Sequence, residues 1–232
     1  MLSIEYTDVV GMEHAIRGMR NPMNSWDKSD SYPAVDCGKC GKIEREGICR
    51  KEDRDCTGFE CYAIGPNDLA LMQKLAKAGT DHRKFMRMIV VYCDITAPLY
   101  WWKQFDTYKV GTVANSCSTM HKIHENELTL DDFSYENVSP DGKECLRNVI
   151  EKLNYARMAY IETKDKLYFD EMIQLLPISY NQRRTVMLNY EVLANIYKSR
   201  KNHKLDEWRE LCHWIERLPY SSLITGMDDT DE

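Results

Sequence analysis

The chain has 232 residues, of which 43% are hydrophobic and 29% charged, with a formal net charge of −6. That length and apolar content suit one large domain or two small ones around a proper core. The acidic balance argues against a basic face for long nucleic acid, although a small anionic ligand needs only a few local donors.

No apolar run approaches the ~20 residues of a membrane span. The start, MLSIEYTDVV, lacks the basic opening and long apolar core of a signal peptide. The reading is a soluble, cytoplasmic protein that does not engage a membrane.

Residues 2–6 alternate and read as a short strand, and Gly11 to Met19 follows as a short helix with Met12, Ala15 and Ile16 on one side. Asn21 to Tyr32, rich in Asn, Ser, Asp and Pro, reads as loop. Five of the nine cysteines then crowd together as Cys37, Cys40, Cys49, Cys56 and Cys61. In a reducing compartment they are thiols or metal ligands rather than disulfides. The two-residue gap between Cys37 and Cys40 lets both thiolates reach one tetrahedral ion, so the pair is the candidate structural Zn site. The other three are irregularly spaced and have no histidine nearby, so the alternative is a polar insertion with free thiols.

Glu60 to Ile64 suits a strand, and Asn67 a helix N-cap after Pro66. The helix from Asp68 to Ala78 places Leu69, Met72 and Leu75 on one face and stops at Gly79. FMRMIVVYCDI, from Phe85 to Ile95, predicts a strand buried on much of both faces.

The chain turns at Ala97-Pro98 into an aromatic helix with Tyr100, Trp101, Trp102, Phe105 and Tyr108. A small, hydroxyl-rich loop follows, with Gly111, Thr112, Asn115, Ser116, Cys117, Ser118 and Thr119. Bulky anchors followed by small polar groups suit a site where backbone approaches a ligand. An ordinary loop after a buried helix would look the same. His121 and His124 sit three apart, a spacing that could hold a metal on a helix but more often marks polar surface.

Asn126 to Asp141 is acidic and ends in the turn signal Ser139-Pro-Asp-Gly. Beyond it, 3.6-residue spacing predicts helices over Glu144 to Thr163, Lys166 to Leu176, Ser179 to about Arg200, and Asp206 to Arg217. The tail 226–232 is acidic and reads as flexible. The class is α+β, with a small mixed or antiparallel sheet from the first half packed on a mainly helical second half. No Gly-rich phosphate loop, Gly-x-Ser-x-Gly elbow or His-Glu-x-x-His is present.

Two blocks resemble the flavin-dependent thymidylate synthase family. The first is the strand, Ala97-Pro98, the helix with Gln104-Phe105, and the Thr107 to Ser118 loop. The family has there an alanine-proline turn, a Gln-Trp helix and the signature Arg-His-Arg-x-x-Ser-x-Asn-Glu-x-Ser-x-Arg. The second is Leu176-Pro177, Asn189, Asn195 and Arg200, where the family has Leu-Pro, a Thr-x-Asn segment and a Leu-Arg ending. Ala15 to Met19 falls where the family has its Ala-Ala-Arg-Val-Ser helix. The resemblance covers most of the chain and implies one domain over residues 1–225, with the Cys-rich insertion at about 37–61.

The departures fall on the chemistry. Arg-His-Arg becomes Thr107-Tyr108-Lys109, the signature serine becomes Thr112, and the family's substrate-binding arginine before Leu-Pro becomes Ile173. Arginine makes bidentate charged contacts that Thr and Ile cannot replace. Lys109, Lys122, Arg183 and Arg184 are the cations left to supply charge.

By resemblance, Arg200 is the residue that favours ionisation of the pyrimidine ring. Gln104, Thr112, Ser116 and Ser118 are substrate-binding positions. Thr107, Tyr108, Lys109, Asn115, Asn189 and Asn195 are cofactor-binding ones. The implied cofactor is FAD, with NADPH and methylene-tetrahydrofolate as co-substrates and a homotetramer as the assembly. The implied reaction is one-carbon transfer to a pyrimidine nucleotide (dUMP to dTMP). A nucleotide-binding or scaffold protein that kept the fold is the alternative.

Overall fold

The computed structural model describes residues 2–35 and 60–226. Cys37, Cys40, Cys49 and Cys56 of the Cys-rich insertion, like the acidic tail after Gly226, lie outside the described residues, and Cys61 falls on a described strand. Strand β1 (Ser3–Val10) leads into helix α1 (Met12–Arg20). The corner is Gly11, at φ +92°, where a Cβ would sit 2.1 Å from the Met88 carbonyl oxygen. Only glycine allows both that backbone and that approach.

Strands β2 (Tyr32–Val35) and β3 (Glu60–Ala63) form a separate antiparallel pair. Helix α2 (Pro66–Lys77) follows, with Gly65 rather than Asn67 at its N-cap position. Asn67 lies inside the first turn because Asp30, remote in sequence, takes the capping role. Its carboxylate accepts the amides of Asn67 (2.9 Å) and Asp68 (3.1 Å).

The expected strand from Phe85 divides. Arg83–Met88 is 3-10 helix, burying Phe85 and Met86, and strand β4 spans Val90–Pro98. Its burial is one-sided: Val91, Cys93, Ile95 and Ala97 face the core, while Tyr92 is exposed. Ala97-Pro98 is the end of this strand rather than a turn. Pro98 then holds the N-cap position of helix α3 (Leu99–Phe105), without a side-chain cap bond.

The hydroxyl-rich loop contains an edge strand, β5 (Val113–Ser116), and the short helix α4 (Thr119–Lys122), capped by the Ser118 side chain. Ser139 is the N-cap of helix α5 (Pro140–Thr163), so the sequence that resembled a turn starts a helix instead. Pro and a hydroxyl cap suit both roles. Helix α6 (Lys166–Leu175) folds back on α5, around a second small core of Ile150, Leu153, Ala156 and Met172.

The largest correction is at Ser179 to Arg200. It is not one helix but strand β6 (Asn181–Asn189) followed by helix α7 (Tyr190–Arg200). Thr185-Val186 carry β-branched side chains, and Val186 and Leu188 alternate onto the core face opposite Cys93 and Val91. Helices α8 (Asp206–Glu216) and α9 (Ser222–Thr225) complete the chain.

The main sheet is antiparallel with order β1-β4-β6-β5. A strand from the second half therefore sits inside the sheet, which is not confined to the first half. The main core joins its buried face to α1, α3, α7 and α8, through Ile16, Trp101, Trp102, Leu193, Trp208 and Ile215. The other face carries Glu5, Asp94, Arg183 and Thr185, joined by hydrogen bonds and ion pairs. No helix among the described residues is long and apolar enough to cross a membrane.

Candidate functional site

Three of the residues singled out by the sequence meet at one end of the main core. Arg200, in the last turn of α7, donates from Nε to the Tyr108 hydroxyl (3.0 Å) and from Nη1 to Gln104 Oε1 (3.2 Å). Gln104 is on α3, and Tyr108 follows α3's end. Two residues that the sequence reading assigned no site role complete the cluster. Trp208 of α8, fully buried, donates its indole N–H to Gln104 Oε1 (2.9 Å). The Arg200 guanidinium lies over the Trp208 ring, 4.5 Å from its centroid. His203 packs edge-on to Trp208, and its Nδ1 accepts the Leu205 amide (3.2 Å). Burial and the charges of Arg200 and Arg209 push its pKa down, which keeps it neutral.

In the sequence Trp208 falls simply within the helix expected over Asp206 to Arg217. The signal that could have found it is chemical: a buried indole N–H must find an acceptor. Nothing in the linear sequence says that the acceptor is Gln104, which lies 104 positions earlier.

Beside this cluster, the segment from Thr107 to Thr112 approaches the start of α7. Gly111, at φ +78°, comes so close that a Cβ would lie 2.6 Å from Asn189 Nδ2. Asn189 caps α7 by accepting the Val192 amide (3.0 Å). The Thr112 hydroxyl is buried without a hydrogen-bond partner among the described residues.

The other assigned positions are more dispersed. Asn195 lies mid-way along α7, and its side chain accepts from Arg83 (3.1 Å). Arg83 and Arg87 both pair with the buried Glu191 of the same helix, and together they hold its carboxyl below the usual range, Arg87 foremost. The Thr107 hydroxyl closes the end of α3 by donating to the Gln104 carbonyl (2.7 Å). Asn115 and Ser116 are exposed on edge strand β5, paired with Thr185 and Arg184, and Ser118 caps α4. His121 is exposed, whereas His124 packs edge-on to Tyr160. No group of three His, Cys, Asp or Glu that could hold a metal occurs among the described residues.

The cations available for phosphate are mostly engaged. Arg183 pairs with Asp94 (2.7 Å) and Glu5 (3.4 Å), Arg184 with Asp106 (2.8 Å), and Lys122 with Glu125 (2.5 Å). Arg184 also lies 4.2 Å above the Trp102 ring. Lys109 is exposed and has no ion-pair partner among the described residues. A single chain thus presents a preorganised donor cluster suited to a planar heterocycle. For a dinucleotide's diphosphate it presents one uncommitted lysine of the four expected cations, which is a poor fit to flavin within one chain.

No protein-family model and no curated protein matches the chain. Solved structures do. Thymidylate synthase X from Helicobacter pylori, solved with FAD and dUMP, is 14% identical, with 97% of each chain covered and a TM-score of 0.62. A second structure of that enzyme with the same ligands gives 13% identity and a TM-score of 0.63, covering 96% of this chain and 97% of the other. The UMP/dUMP methylase PolB from Streptomyces cacaoi, bound with 5-bromo-dUMP, is 11% identical, covering 98% of this chain and 96% of its own, with a TM-score of 0.57. The likeness is one of fold along nearly the whole length, and the chain has the fold of flavin-dependent thymidylate synthase.

Proposed function

We propose that the chain binds a pyrimidine nucleotide through Gln104, Tyr108 and Arg200 and activates the ring for one-carbon transfer in the manner of a dUMP methyltransferase. The convergence of Arg200 on Gln104 and Tyr108 carries this reading. Arg200 and Gln104 occupy positions that the resemblance assigns to the nucleotide, Tyr108 one that it assigns to the cofactor, and the solved structures of similar fold contain dUMP or a bromo analogue. A guanidinium at the ring edge stabilises negative charge on the ring's oxygen and nitrogen atoms. That raises electron density at the carbon which accepts the new group. Backing by Trp208 holds the guanidinium in place before the ligand arrives.

The resemblance names FAD as the one-carbon carrier, methylene-tetrahydrofolate and NADPH as co-substrates, and a homotetramer as the assembly. FAD would supply the transfer chemistry. The direct test is calorimetric titration with dUMP, combined with the visible spectrum of protein exposed to FAD and freed of excess. Binding of dUMP with retained flavin bands leads to a turnover assay. Absence of dUMP binding by folded protein ends the proposal.

The second reading is a nucleotide-binding or scaffold protein without turnover. It is favoured by the ion pairs that occupy Arg183, Arg184 and Lys122. Binding of dUMP without flavin or turnover would select it.

A further inference from the structure

We infer that Trp208 is a positioning residue that fixes Gln104 as a hydrogen-bond donor toward the ligand, so that the cluster selects a 4-oxo pyrimidine edge over a 4-amino one. This inference rests on the nucleotide-binding reading above.

The orientation of a glutamine amide follows from its neighbours. Both groups facing Gln104 Oε1 are obligate donors: the Trp208 indole N–H at 2.9 Å and an Arg200 guanidinium N–H at 3.2 Å. Neither can accept a hydrogen bond. Rotating the amide by half a turn would set its NH2 against two donors and lose both bonds to its oxygen. Gln104 therefore presents its NH2 away from Trp208. That nitrogen makes no hydrogen bond among the described residues and is not sealed from solvent, and the same holds for Arg200 Nη2. Tyr108 accepts from Arg200 Nε, which leaves its own proton to donate.

The Gln104 NH2, the Arg200 Nη2 and the Tyr108 hydroxyl proton are thus left as donors to a ligand. A 4-oxo pyrimidine, or its ring anion, offers acceptors to match. A 4-amino pyrimidine brings an NH2 against these donors and leaves groups on both sides unpaired. Trp208 is the element that imposes the code, because the indole is fully buried and cannot turn away, whereas Arg200 is only half-buried.

The experiment compares dUMP and dCMP binding by calorimetry in the full chain, in Gln104→Glu and in Trp208→Phe, with melting curves for each. Wild type is expected to prefer dUMP by about tenfold or more, the cost of one buried unmatched donor pair. Gln104→Glu keeps an oxygen for Trp208 and Arg200 but turns an acceptor outward, so the preference should fall by about tenfold. Trp208→Phe frees the amide to rotate and should reduce the preference several-fold. A purely structural tryptophan would weaken both ligands equally and leave the ratio unchanged, and that result overturns the inference.

Should wild type bind neither nucleotide, the functional reading fails, and the positioning role is decided separately. The Gln104 side-chain amide, identified in nitrogen-15 spectra by its loss in Gln104→Glu, should give one restrained NH2 pair in wild type and an averaged one in Trp208→Phe. Identical signals in the two proteins overturn it.

Discussion

Two neighbouring regions of this molecule treat charge in opposite ways. At the Gln104–Arg200 cluster, the guanidinium is held by a hydroxyl, an amide oxygen and an indole face, all of them neutral. Its positive charge is positioned but not cancelled. Along the β5–β6 edge, Arg183 and Arg184 are each paired with carboxylates. Their charge is spent within the protein, largely at exposed positions where such pairs add little stability. Neutral partners keep a cation available to a ligand, whereas acidic partners withdraw it. On the proposed reading the first region would face the base, while the positions where the resemblance expects phosphate contacts lack the family's arginines, and of their substitutes Arg183, Arg184 and Lys122 are paired with carboxylates.

The largest effect is expected outside both regions, at the buried acid that ties α1, α2 and the 29–31 segment together. Asp68 is fully buried and accepts from Arg20, from the hydroxyls of Ser29 and Ser31, and from the amides of Asp30 and Ser31. Asp68→Asn leaves the buried Arg20 unpaired and should cost about 3–5 kcal/mol in denaturant unfolding. Burial alone would raise the Asp68 pKa, but the bonds from Ser29, Ser31 and Arg20 outweigh it and hold the group below 3.8. Its contribution is therefore complete above about that pH and fades as pH falls through the lower folded value. Wild-type stability should drop there more steeply than that of Asp68→Asn.

Next comes Arg200→Ala, which removes the uncancelled charge. It should weaken dUMP binding by about ten- to hundredfold, the worth of a charged hydrogen bond of ~1.5–3 kcal/mol. Unchanged affinity would break the contrast at its stronger end. Gly111→Ala strains a left-handed residue against Asn189 and should destabilise by about 1–2 kcal/mol. It should also weaken dUMP binding if the 107–112 segment forms part of the site.

Asp106→Asn tests the other end. With its carboxylate partner neutralised, Arg184 can turn to a phosphate, and the preference for dUMP over deoxyuridine should rise about two- to fivefold, the scale of one surface pair. No change would mean that Arg184 is held by Trp102 and Gln182 instead. The smallest effect is at Cys117, exposed beside β5. Cys117→Ser should leave stability within about 0.5 kcal/mol and dUMP binding unaltered. In native protein an alkylating reagent followed by peptide mass analysis should mark Cys117. It should not mark Cys93, whose thiol is pushed up to about 12 by burial and by Asp94.

Much of the local structure was legible in sequence because local rules decide it. The helices over Met12–Arg20, Lys166–Leu175 and Asp206–Glu216 follow from apolar spacing, and strand β1 from alternation. The misreadings share one cause. Asn181–Asn189 carries apolar residues at spacings that a helix or a strand can use, and only pairing with β4 and β5 selects the strand. Val113–Ser116 has small polar residues that read as loop, and becomes a strand because β6 offers its edge. Asn67 lost its capping role to Asp30, a residue that no local window contains.

The candidate site divides in the same way. Sequence by itself supplied Gln104, Tyr108 and Arg200, the missing signature arginines and the acidic balance, since residue identity and spacing are properties of the line of text. Tertiary structure alone decided which cations remain uncancelled and which way the Gln104 amide faces. Those depend on Asp106, Asp94 and Trp208 arriving from other elements. Hydrogen bonds and ion pairs act over a few ångströms in space, regardless of the number of residues between the partners.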